Sequence, residues 1–240
     1  MKPVLTFDAT AGLMAELDPN EREVLTDTSF RPALKELIAA ELAVRVQSYF
    51  EPLDESKTDK HQYAMLLRWH RLGEALGYDG PVCWRLKAGY TLKHHAPRTG
   101  ACYKNWEYLQ DWVFQNDEPT KDSSVYWIPR LVSESTSKNV PEQLVRLGEV
   151  RTQYGLPEGH LSSFGSGSLL SGLILAHQKR TGERVPLEKL WCRTDTLRVG
   201  GYRFILGDFG ETGLFGAYWD LDGVDGSGGV FPLGVELIKP

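Results

Sequence analysis

The sequence predicts an α+β protein: a helix-rich N-terminal part packed on a mainly antiparallel β-sheet, followed by a C-terminal β-meander. Three features carry that expectation. Apolar residues repeat at helical spacing in several stretches before residue 180. Short β-prone runs separated by glycine clusters fill the chain after residue 187. The two kinds are segregated, whereas a doubly wound parallel sheet would alternate them. The 240 residues read as one domain, with an acidic lead-in over 1–28, a helix-rich part over 29–180 and the meander over 187–240.

The lead-in carries Asp8, Glu16, Asp18, Glu21, Glu23 and Asp27 against Lys2 and Arg22, and reads as a surface arm. A helix follows, capped by Thr28 or Ser29, with Pro32 in its first turn. Its stripe is Leu34, Leu37, Ile38, Leu42, Val46 and Tyr49, and Pro52 stops it. After the polar linker from Asp54 to Thr58, a second helix shows the stripe Met65, Trp69, Leu72 and Leu76, and Gly77 closes it. Alternation over 82–87 reads as a strand with one wet face. A short helix is expected around Trp106, Leu109, Trp112 and Val113. Ser124 to Val132 reads as a strand that Pro129 assigns to an edge or a bulge. Asn139-Val140-Pro141-Glu142 starts a helix that Gly155 ends. Ser168 to Arg180 is apolar nearly all round, so it reads as a buried central helix. The runs 190–194, 202–206, 214–219 and 230–238 then form the meander.

Composition narrows the function classes. With 41% hydrophobic and 25% charged residues the chain has the make-up of a globular protein. It contains no apolar run of about 18 residues and its first residues lack a secretory pattern, so we expect neither a membrane span nor export. Three widely spaced cysteines, Cys83, Cys102 and Cys192, write no disulfide framework and no metal knuckle, and suit a reducing, cytoplasmic setting. A formal charge of -5 argues against general affinity for nucleic acid.

One window departs from that average. Residues 81–106 contain no Asp or Glu, where the chain average of 32 in 240 would place roughly 3.5. The same window holds Arg85, Lys87, Lys93, His94, His95, Arg98 and Lys104, interleaved with Trp84, Tyr90, Tyr103 and Trp106. Cations that pair with phosphate or carboxylate, beside rings on which a planar group stacks, make up an anion or single-strand site. The expectation is therefore a binding or regulatory protein that engages a phosphorylated small molecule or a short nucleic acid through Trp84, Arg85, Lys87, Lys93, Arg98, Tyr103 and Lys104. The competing reading pairs these charges with the acidic lead-in.

A second candidate is the loop from Ser162 to Ser168, where Ser166, Ser168 and neighbouring glycines would hold a phosphate at a helix N-terminus. It lacks the Gly-Lys-Ser/Thr ending of a Walker loop, and a plain N-cap explains the same residues. A hydrolase or transferase alternative would use His94 or His95 as base and Cys102 as nucleophile, with adjacent histidines on a strand facing opposite ways. Ser135-Thr136-Ser137 resembles, over three residues, the Ser-Thr-Ser element of ADP-ribosyltransferases, with Arg85 as the upstream arginine. No Glu-x-Glu element follows at a suitable place, so NAD binding is not implied. Asp220 to Gly226 fails the EF-hand register and reads as a hairpin connection. No metal and no cofactor is expected, the seven tryptophans read as core and contact anchors, and a protein-interaction module is the third class.

Overall fold

The computed structural model describes residues 49–220, 223–224 and 226–238, and the fold below is that of Tyr49–Pro240. The lead-in, and all but the end of the helix expected from Thr28, lie outside these residues. That end is not helical: Phe50–Pro52 form strand β1, because Phe50 is drawn into the core beside Tyr90.

Among the described residues the fold is α+β with two sheets. In the first, β1, β2 (Cys83–Leu86), β4 (Ser123–Trp127) and β9 (Leu233–Leu237) pair antiparallel in the order β1-β2-β4-β9. In the second, β3 (Phe114–Gln115), β5 (Trp191–Arg198), β6 (Tyr202–Gly210) and β7 (Gly213–Asp220) run β3-β5-β6-β7, and β8 (Gly228–Gly229) adds a short parallel pair to β5. The last strand therefore leaves the meander and returns to the first sheet. That placement makes β4 a central strand, contrary to the edge expected from Pro129. The strand ends at Trp127, so the proline never enters the ladder.

Helices α1 (Lys60–Ala75) and α3 (Val140–Tyr154) cover one face of the first sheet. Met65, Leu66, Trp69 and Leu72 of α1 and Leu147 and Val150 of α3 pack with Cys83 and Tyr126. Helix α3 starts as its sequence predicts, with Asn139 and Glu142 in a reciprocal capping box, and at the start of α1 Asp59 accepts from the Gln62 N–H. Gly155 ends α3 in the left-handed region at φ 62°. The opposite face of the sheet carries Trp84, Leu86, Val125, Trp127 and Leu233, which join Cys192, Phe204, Leu206 and Leu214 of the second sheet in one core. Through that core runs α4 (Gly167–Thr181), buried at every position from Gly167 to Leu175, as an all-round apolar helix should be. A Cβ at Gly172 would fall inside the Phe50 ring, so only glycine lets α4 lie this close to β1.

Two segments differ from expectation. Leu92–Thr99 is a helix, α2, whose Leu92, Ala96 and Thr99 face inward at spacings of four and three. Tyr103–Leu109 is a 3-10 segment rather than an α-helix, and Lys104, Asn105 and Trp106 take left-handed φ values of 48°, 49° and 54°.

Candidate functional site

The acid-free window does not form one surface. Trp84 is buried in the core and offers no face for stacking, because β2 is an inner strand packed on its Trp84 and Leu86 side. Arg85 is exposed, but on the opposite face of the sheet and paired in register with Glu51. Lys87 is exposed just beyond β2, and Arg98 lies in the last turn of α2. Only Lys93, Tyr103 and Lys104 come near one another's surroundings, at the second sheet.

There the free edge of β7 is closed by side chains. The Trp106 indole N–H donates to the Leu214 carbonyl at 2.8 Å, and the Leu214 N–H donates to Ala101 at 2.7 Å. The Tyr108 hydroxyl donates to the Gly216 carbonyl at 2.9 Å and accepts from the Gly216 N–H at 3.1 Å. This satisfies an edge that would otherwise present unpaired backbone groups. Closing it requires the left-handed turn that swings Trp106 inward, where it is fully buried.

Around that edge the rings meet in series. Trp219 touches Trp191, which touches Phe215; Phe215 meets Tyr103 at 4.9 Å and Tyr108 at 5.5 Å between centroids. Tyr108 continues to Trp112, and Trp112 to Phe114 on one side and Tyr218 on the other, with Tyr202 beyond. All of these separations lie within the range of favourable aromatic contact. Tyr202 and Tyr218 are exposed, and the other rings half-buried.

Cations are set into this run. The Arg198 guanidinium carbon lies 4.5 Å from the Trp112 ring centre and 4.6 Å from that of Tyr218. The register explains the placement: Phe114 pairs with Arg198, Arg198 with Tyr202, and Tyr202 with Asp220. Among the described residues no acceptor takes the Arg198 N–H groups, and no ion pair joins it to Asp220. Lys93 sits 5.6 Å from the Phe114 ring and donates to the carbonyls of Gln110 and Trp112, so its ammonium is fixed beside the same rings. Lys104 lies over Tyr103 at 5.3 Å.

The chain matches no protein-family model, no curated protein and no solved structure. The site must therefore be read from its chemistry.

At the α4 N-terminus the anion is the protein's own. Asp117 accepts from the Ser168 N–H at 2.9 Å, the Ser168 hydroxyl at 3.0 Å and the Thr196 hydroxyl at 3.1 Å. Thr196 in turn accepts from the Gly167 N–H, Ser166 from the Leu169 N–H, and Ser168 from the Leu92 N–H. Asp195 takes the N–H groups of Phe164 and Gly165. Ser166 and Ser168 are thus a cap and an internal strut, and the helix end favours the Asp117 charge in place of a phosphate. Burial pushes both carboxyls up from their ordinary value, against the donors that pull them down.

The alternative catalytic trio is not assembled. Cys102 is buried, which drives its thiol well above the usual range, and it makes no hydrogen bond to either imidazole among the described residues. His94 and His95 are on α2, not on a strand. His95 Nδ1 accepts from the Thr91 N–H at 3.0 Å, and its ring packs on Tyr49 and Tyr90, while His94 is exposed. Ser135 is buried and accepts from the Val230 N–H, so it lines the core rather than a nucleotide site. His160 joins a structural chain: Trp69 donates to its Nδ1 at 3.2 Å, and its Nε2 lies 3.4 Å from Glu236. Among the described residues no three metal-ligating side chains cluster.

His177 has a measurable consequence. Its ring is buried between Tyr78 and Trp127 with Nδ1 unpartnered, and burial, reinforced by the Arg130 charge and opposed by Glu183, holds its pKa below the ordinary value of about 6.5. A depressed histidine contributes stability above its unfolded pKa and loses it as pH falls through the folded one. His177→Phe should therefore lose less thermal stability than the wild type between about pH 7 and about pH 5. Parallel melting curves of equal slope would contradict this.

Proposed function

We propose that this is a binding protein for an anionic ligand that also carries a planar group, a nucleotide or a short single strand, held at Arg198 and the rings beside it. The observation that carries the reading is the Arg198 guanidinium, which lies against both Trp112 and Tyr218, themselves in edge-to-face contact, with its side-chain N–H groups unclaimed by any described acceptor. Contact with both rings limits the orientations open to a group whose donors match phosphate or carboxylate, so less order is lost when the anion arrives. Tyr202, Tyr218 and Phe114 supply faces for a base, and Lys93 supplies a second charge nearby. Of the acid-free window, Lys93 stands beside this site, while Tyr103 and Lys104 lie further along the run of rings, at Tyr108 and Phe215. Three free, buried thiols favour a reducing, cytoplasmic setting, and among the described residues no helix is long and apolar enough to cross a membrane.

The test is a titration of intrinsic tryptophan fluorescence, since Trp112 lies in the site. The probes are adenosine 5′-monophosphate, adenosine, ribose 5-phosphate and a short oligothymidylate. The nucleotide and the oligonucleotide should quench, and more weakly as salt rises. Adenosine and ribose 5-phosphate should each bind at least about tenfold more weakly, each lacking one of the two interactions. Equal affinity for adenosine and its monophosphate would overturn the anion reading.

A further inference from the structure

The edges of the two sheets are not treated alike. The edge of β7 is closed by Trp106 and Tyr108, β3 is only two residues long, and β1 is three residues ending in Pro52. Strand β9 carries none of these protections beyond its first residue. Its Leu233 carbonyl accepts from the Leu161 N–H at 2.7 Å on the side away from β4, whereas the Ile238 N–H donates to Asp122 on the β4 side. Antiparallel pairing alternates these directions, so the N–H and C=O groups of Val235 and Leu237 also point away from the sheet. No described group takes them. The side chains at this edge are apolar and exposed: Val235 by 40%, Leu237 by 64% and Ile238 by 43%.

Beside that edge lies a cleft of about 410 Å³. Val235 and Leu237 share the sheet face of Leu233 and form its floor with Leu86 and Leu169, and Asp195 stands in its wall. The cleft's Glu118 and Lys121 pair with each other at 3.0 Å. Its remaining charge is Asp195, whose nearest described cation is Arg203 at 3.8 Å.

We infer that the β9 edge and this cleft bind an extended peptide of a partner protein by strand addition, with an apolar side chain on the cleft floor and a basic side chain toward Asp195. Alternating backbone groups that no described residue takes match the hydrogen-bonding repeat of another extended backbone, and a pocket beside them selects the alternate side chains. A second copy of this chain fits less well. The two-fold register that uses both outward residues pairs Val235 with Leu237 and sets two Glu236 carboxylates directly opposite each other, which repel.

The experiment uses the full chain and fluorescein-labelled seven-residue peptides of alternating valine and threonine, with lysine or norleucine at one position, read by anisotropy and amide exchange. The lysine peptide should bind and slow exchange of the Val235 and Leu237 amides. Val235→Pro removes an outward N–H without touching the β4 ladder, so it should fold normally and weaken binding by at least about tenfold. Asp195→Asn should reduce affinity for the lysine peptide and leave the norleucine peptide unchanged. Unaltered binding in a folded Val235→Pro variant would overturn the inference. So would binding by neither peptide, or a concentration-dependent dimer of the wild type that Val235→Pro abolishes.

Discussion

Trp106→Ala should destabilise the protein by about 3–5 kcal/mol, the range for removing a fully buried tryptophan. The indole is fully buried in the central core and supplies the hydrogen bond that takes the Leu214 carbonyl at the edge of β7. Its backbone is held at φ 54°, behind two other left-handed residues. Such conformations cost about 1–2 kcal/mol per residue and persist only where surrounding contacts enforce them. Without the indole the turn has little reason to stay wound, and Tyr103 and Tyr108 lose their seating on Phe215. Trp106→Phe separates the contributions: it keeps most of the packing and loses the hydrogen bond, so it should cost about 1–2 kcal/mol. Urea unfolding with an unchanged slope is the measurement. An alanine variant within about 1 kcal/mol of the wild type would show that the turn is held by something else.

Asp117→Ala should cost about 2–3 kcal/mol, because it leaves the Ser168 N–H, the Ser168 hydroxyl and the Thr196 hydroxyl without their acceptor at a largely buried site. The variant also has a pH signature. The Asp117 pKa is raised by burial, so its contribution is fully present below the ordinary carboxylate value and fades as pH rises through the folded one. Removing it should abolish that share of the acid-side gain, opposite in sign to the effect of His177. A variant with the wild type's acid response would mean that Asp117 titrates alike in the folded and unfolded chains.

What the sequence made legible follows from which interactions are local. Helix α3 is announced by Asn139, Pro141, Glu142 and Gly155, and α4 by its unbroken apolar run, because caps and periodicity act within a few residues. The place of β9 is not local: whether a fourth β-prone run stays in the meander or crosses to another sheet depends on partners more than 100 residues away, such as Val125 for Val235. The acid-free window illustrates the same limit. Its cations are adjacent in sequence, but one strand and one helix send Arg85 and Lys93 to different sheets, and burial removes Trp84. Arg198 is not legible as a site residue because nothing next to it in sequence marks it. Its ring partners come from residues 112 and 218, although the aromatic segments Trp112-Val113-Phe114 and Tyr218-Trp219 are plain in the sequence. The Asp117 anchor was hidden for the same reason, lying 51 residues from Ser168.

The most direct measurement is the affinity for adenosine 5′-monophosphate of the wild type, Arg198→Gln and Arg198→Lys, by calorimetry at fixed salt. A guanidinium seated against two rings and donating from its free N–H groups predicts a loss of at least about tenfold in the glutamine variant. The lysine variant should recover only part of it, since an ammonium carries the charge without the planar fork. Both variants should unfold close to the wild type, because the Arg198 side chain is half-buried and forms no hydrogen bond to another described residue. Wild-type affinity in Arg198→Gln would contradict the account and remove the anion site from this face of the protein.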